Sequence, residues 1–198
     1  MKKTLITLFI LVSGIPVTHA QLTKLGGGIS FNTGYYFNNE EFRDHKTGNP
    51  VISLVSIYEL SLPVHIKPSI NVFIPRVSKF GDLDYTEKRV VSAFSVDVDG
   101  HYVFNYLDRF ELYALGGFNI KMVRMKYKYE LPGASDVSTS SNTTLGLNLG
   151  GGSYIKIKDE FDAYVEVKAV VAKQLQAVIS AGILLNIEWM KKNEGPVL

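Results

Sequence analysis

Apolar residues recur at every second position along most of this chain. After residue 20 there is neither a sustained 3.6-residue stripe nor a run of eighteen apolar residues. That constraint sets aside helical bundles and spanning helices for residues 21–198 and leaves a chain of strands. The cleanest case puts Phe161, Ala163, Val165, Val167 and Ala169 on one face and Asp162, Tyr164, Glu166 and Lys168 on the other. Seven further segments alternate in the same way. They centre on Ile29/Phe31, Leu54/Leu60/Leu62, Ile70/Val72, Phe94/Val96/Val98, Phe110/Leu112/Phe118/Ile120, Leu145/Leu147/Leu149 and Ile179/Ile183. Leu54–Val64 alternates less cleanly, because Val55 and Ile57 fall on its polar face. After Met122 the parity changes: Val123, Met125, Tyr127 and Tyr129 alternate with Arg124, Lys126 and Lys128. This predicts a bulge or a strand extension in a different environment.

The connections alternate in length. Residues 38–50, 77–89 and 130–142 read as long, polar loops, whereas Lys67-Pro68-Ser69, residues 105–109 and Lys158-Asp159-Glu160 read as tight turns. Only residues 173–176 are short on the long-loop side. An all-β, eight-stranded antiparallel up-and-down transmembrane β-barrel has this asymmetry, with short turns at one end and longer loops at the other. A soluble lipocalin-like carrier would have the same strand count with its apolar face inward. Two features favour the membrane version. The polar face is built of Gly, Ser, Asn and Tyr with a few opposed charges, and large aromatics gather at strand ends. Phe104, Phe110, Phe161 and Trp189 fall at one end and Tyr35 and Phe37 at the other, as expected of an interfacial aromatic girdle.

Residues 1–20 have the layout of a secretory signal peptide: Lys2 and Lys3, an apolar stretch from Leu5 to Val12, a Gly14/Pro16 break and Thr18-His19-Ala20 before Gln21. Cleavage near Ala20/Gln21 is expected, leaving 21–198 as the barrel domain. Without Lys2 and Lys3 the 21 basic residues fall level with the 19 acidic ones, which gives no electrostatic case for a nucleic-acid partner. A composition of 46% hydrophobic and 20% charged residues excludes disorder, and the absence of cysteine excludes thiolate metal sites and cysteine nucleophiles.

The strands Tyr113-Ala114-Leu115-Gly116-Gly117, Leu145-Gly146-Leu147-Asn148-Leu149-Gly150-Gly151-Gly152 and Val178-Ile179-Ser180-Ala181-Gly182-Ile183, with the leader, resemble the small outer-membrane β-barrels of the OmpA/OmpX type. The resemblance spans essentially all of residues 21–198. It implies an outer-membrane location and, as partners, outer-membrane lipid, lipopolysaccharide and the barrel-assembly machinery. Such barrels often end on an aromatic residue. Trp189 fits that place, with 190–198 following as a short tail.

The polar face supplies the candidate interior: Glu59, Asp97, Asp99, His101, Glu111, Lys121, Lys156, Asp162, Glu166 and Lys168. A proton or ion path and a plug of mutual ion pairs both use such residues. The plug is expected, because an eight-stranded barrel is barely wide enough for its own side chains. Folding the strands about Lys158-Asp159-Glu160 sets Lys156 opposite Asp162. The Gly-rich pieces lack the Lys-Ser/Thr and helix of a phosphate loop, and no cofactor or metal is expected. His45, beside Asp44, and Ser78 and Asp82 are residue types that a lipid-modifying enzyme would need. Loops of this composition carry them by chance, and no catalytic residue is assigned. Phe42, Arg43, Phe80, Tyr85 and the run 124–129 are candidates for contact with lipopolysaccharide or a surface ligand. The expectation is a non-enzymatic surface barrel; a small-solute porin, a lipid-modifying enzyme and a soluble carrier are the alternatives.

Overall fold

A computed structural model describes residues 21–33, 49–61, 63–82, 85–107, 109–131 and 134–187. They form nine strands: β1 (Gln21–Asn32), β2 (Asn49–Ser61), β3 (Val64–Phe73), β4 (Arg76–Asp82), β5 (Tyr85–Leu107), β6 (Phe110–Leu131), β7 (Ala134–Lys156), β8 (Phe161–Val171) and β9 (Leu175–Asn186). Every pairing is antiparallel. Pairing of β1 with β9 and of β3 with β5 closes a ring of eight; β4 stands outside it, paired with the outer half of β5 alone. Ile74-Pro75 is the reason. Proline cannot donate to the ladder, so the chain leaves β5 after Phe73 and rejoins it as β4, with Val72 opposite Phe94 and Arg76 opposite Val91.

Strand length divides the molecule into two levels. β8, β9 and β1 are 11, 12 and 12 residues long, the length a tilted strand needs to cross a bilayer. β5, β6 and β7 run for 23, 22 and 23 residues. Their outer halves, with β4, rise beyond the ring as a sheet extension about 35 Å long along the strands. Segments 77–89 and 130–142 are therefore mostly hairpin strands rather than the loops expected from their polarity. β2 ends at Ser61 and β3 begins at Val64, so Lys67-Pro68-Ser69 is mid-strand, opposite Asp99, Val98 and Asp97.

Side chains follow the alternation, and the apolar face points outward. Phe118 is 67% exposed, Leu145 71% and Val167 54%, while the intervening Glu166 is 1% exposed. A belt of this kind around a closed sheet is a lipid-facing surface, so the soluble-carrier alternative, which needs the apolar face inside, is incompatible with the structure. The uneven alternation of β2 has a local cause. Leu54 faces outward, whereas Val55 and Ile57 face the lumen and pack with Val103, Tyr113, Leu115, Tyr154, Tyr164 and Leu184. Beyond Met122 the register of β6 with both neighbours is unbroken, so the change of parity there is an extension in a new environment and not a bulge. Register shifts lie instead at the tight-turn end, at Leu22/Lys24, Glu59/Ser61 and Val103/Asn105.

Candidate functional site: a lumen crossed by ion pairs

Two tyrosines fill the middle of the lumen because glycines face them. A β-carbon at Gly152 would lie 2.5 Å from the Tyr113 hydroxyl, and one at Gly182 would lie 2.5 Å from the Tyr164 ring. The glycine-rich strands thus make room for large rings in a narrow barrel. Tyr113 stacks on His101 at 4.2 Å between centroids and lies 4.6 Å from Tyr154. His101 Nδ1 and the Tyr154 hydroxyl share a 2.7 Å hydrogen bond.

An ion-pair cluster lies against these rings and crosses the lumen. Lys67 on β3 reaches Glu166 on β8 at 2.5 Å, and the Tyr113 hydroxyl donates to the same carboxylate at 3.1 Å. Lys168 on β8 spans to β5, 2.8 Å from both Asp97 and Asp99 and 3.8 Å from Glu166. Asn148 donates to Asp99 at 2.6 Å and Asn119 donates to Asp97. Lys121, higher in the barrel, donates to Gln176 and lies 5.0 Å above the Phe73 ring. Lys67, Lys121 and Lys168 thus face Asp97, Asp99 and Glu166, all six buried, and the formal charges cancel. Carboxylates and ammonium groups removed from water are tolerable only when paired and hydrogen-bonded in this way.

The sequence-derived interior set divides three ways. Asp97, Asp99, His101, Lys121, Glu166 and Lys168 lie in the buried cluster or against it. Glu59, Glu111 and Asp162 line a cavity of about 230 Å³ at the tight-turn end, together with Lys24, Arg109, Tyr154, Lys156 and Asn186. Lys156 stands at the mouth of this cavity. Its side chain is 59% exposed at the rim and binds Asp159 at 2.9 Å, a contact that raises the lysine pKa. Lys156 and Asp162 are register partners as expected, but Asp162 pairs with Lys24 at 2.7 Å. A cavity of about 30 Å³, room for a single water, opens above the cluster. Tyr113 and His101 line neither cavity and lie between them.

Lys67, Lys24 and the three tyrosines were not among the candidates. Pro68 made its neighbour Lys67 read as a turn residue, and Lys24 sits beside a register shift. The tyrosines carry an available signal, since each faces the same way as neighbouring inward charges. At the tight-turn end Phe104 and Phe110 are exposed and Phe161 half-exposed on the outer surface, joined by Tyr102 and Tyr106. Tyr35, Phe37 and Trp189 lie outside the described residues, as does His45. Ser78 is on β4 opposite Arg89, and the backbone of Asp82 ends that strand.

No protein-family model matches the chain, and no curated protein sequence matches it. Solved structures do. Neisserial surface protein A superimposes with a TM-score of 0.52 at 11% identity, over 84% of this chain and 98% of that one. Ail, the attachment invasion locus protein of Yersinia pestis, in complex with the heparin analogue sucrose octasulfate, gives 0.51 at 14% identity over 84% and 98%. At such identities the likeness is one of fold, and the fold is that of the small OmpA/OmpX-like outer-membrane β-barrels.

Proposed function

We propose that this chain is a non-enzymatic outer-membrane protein that carries a rigid sheet extension above the membrane and conducts no solute. On this reading residues 1–20 direct export and are cleaved, the barrel-assembly machinery inserts residues 21–198, and the extension meets lipopolysaccharide or a surface ligand. The supporting observation is the formally neutral cluster of Lys67, Lys121, Lys168, Asp97, Asp99 and Glu166, which bridges opposite walls of the lumen and leaves room for one water above it. An ion entering this lumen would have to break buried pairs, and each break strands a charge at a cost of about 3–5 kcal/mol.

Planar-bilayer recording of the purified protein tests this reading, with negligible conductance as the expected result. Stable, large openings would replace it with the porin alternative. Incubation with lipid A or phospholipid addresses the enzyme alternative: no acyl release is expected, whereas release abolished by His45→Ala would overturn the non-enzymatic assignment.

A further inference from the structure

The tight-turn end of the lumen holds charges that the barrel does not neutralise. Its cavity of about 230 Å³ contains one internal ion pair, Lys24–Asp162 at 2.7 Å, and Lys156 at its mouth is held by Asp159. Glu59, Glu111 and Arg109 remain. Among the described residues none of these three forms an ion pair. Glu59 and Glu111 are half-buried and reach the cavity from β2 and β6. Arg109 is exposed, between β5 and β6, where its carbonyl accepts a hydrogen bond from the Lys156 amide at 2.9 Å and fixes the residue at the rim. Carboxylates partly removed from water without a counter-ion are costly, and a cation entering the cavity removes that cost.

A buried imidazole adjoins these charges. His65 is 3% exposed, and neither of its ring nitrogens has a hydrogen-bond partner among the described residues. It is flanked by two residues that line the cavity: Glu59, its register partner on β2, and Tyr154, whose ring centroid is 6.1 Å away. An imidazole left unsatisfied at this depth calls for a partner from the cavity. A metal ion fits poorly, because among the described residues no three His, Asp or Glu side chains converge as ligands. The unpaired charges, two carboxylates and one guanidinium, instead complement a ligand with two cationic groups and one carboxylate. The volume is the share of roughly eight water molecules at about 30 Å³ each, enough for one amino acid and too little for a longer peptide. Tyr113 and His101 separate this cavity from the one above, so it is a blind recess.

We propose that this recess binds a free basic amino acid, its two cationic groups on Glu59 and Glu111 and its carboxylate on Arg109. That the recess opens to the periplasm rests on the outer-membrane reading; binding to the folded barrel does not. The test is equilibrium dialysis of the full chain, folded in detergent micelles, against labelled L-lysine. Cadaverine, which is lysine without its carboxylate, and magnesium ion are run in parallel. Wild type should bind lysine saturably, and Lys126→Gln in the extension should match it. Glu59→Gln/Glu111→Gln should weaken lysine and cadaverine alike by at least tenfold, since a hydrogen bond to a charged group contributes about tenfold or more. Arg109→Gln, at an exposed position where folding is not at stake, should weaken lysine about tenfold and leave cadaverine unchanged. Absence of saturable lysine binding to folded wild type would overturn the proposal, as would unchanged lysine affinity in folded Arg109→Gln. Displacement of lysine by an equal concentration of magnesium ion would also overturn it, making the recess a divalent-cation site. Lysine binding by a chain that fails to insert into lipid vesicles would support the site and defeat the outer-membrane reading instead.

Discussion

The lower and upper halves of β6 have opposite chemistry on the same backbone. From Phe110 to Met122 the outward positions are apolar and the inward ones include Glu111, Asn119 and Lys121; from Val123 onward Val123 and Met125 turn inward and Arg124 and Lys126 face out. No register shift separates the two halves. What changes is the solvent. Within the bilayer the outside must match hydrocarbon and the lumen holds the polar groups. Above it the outside meets water and headgroups, so Val51, Phe73, Val91, Ala93, Val123 and Met125 form a small core of ordinary soluble type. A single sheet thus passes from inside-out to conventional packing within two residues.

This contrast can be broken at either level, and the largest effect should come from the lumen. Glu166→Ala strands Lys67 and removes one partner of Lys168, so it should cost about 3–5 kcal/mol in urea unfolding from vesicles. Glu166→Gln, which keeps the shape and a hydrogen-bond acceptor, should cost less than Glu166→Ala. Equal stability of Glu166→Ala and wild type would mean that the cluster does not hold the walls together. On the lipid face, Val167→Arg should cost about 2–4 kcal/mol near the midplane and less toward the interfaces. In the extension, Met125→Ala should cost about 2 kcal/mol, the lower end for a buried methionine because the small core lies near water. The effect should appear as local opening of the extension in hydrogen exchange, with the barrel amides unchanged. Smallest of all, Lys126→Gln should stay within about 0.5 kcal/mol. A destabilisation there comparable to Val167→Arg would place Lys126 in a packed site instead of on a wetted face.

The sequence made the barrel legible where each strand borders lipid on one face and the lumen on the other. β8 is the plainest example, with Val165 and Val167 out and Tyr164, Glu166 and Lys168 in. Legibility failed where that condition fails. In β2, Val55 and Ile57 join an apolar plug, so both faces look hydrophobic and the end of the strand is blurred. In β3, Pro68 imitates a turn, although register keeps it opposite Val98, and its neighbour Lys67 was lost from the interior set. In the extension, Ser, Thr and Asp on β7 resemble a loop because water covers much of that strand. Lys156 shows a further limit: parity fixes a face but not a height, and at the rim a side chain of inward parity is partly open to solvent.

The absence of cysteine makes the inversion directly measurable, because each introduced cysteine is the sole labelling site. Glu166 and Ser180 are register partners, so labels at Val167 and Ser180 sit at nearly one depth on opposite faces, while Lys126 lies above the belt. Fluorophores at Val167→Cys, Ser180→Cys and Lys126→Cys, read against lipids carrying acyl-chain quenchers, report which face of each level meets hydrocarbon. Strong quenching at position 167 with weak quenching at 180 and 126 is the predicted result. Stronger quenching at 180 than at 167, or quenching at 126 equal to that at 167, would contradict the inverted packing.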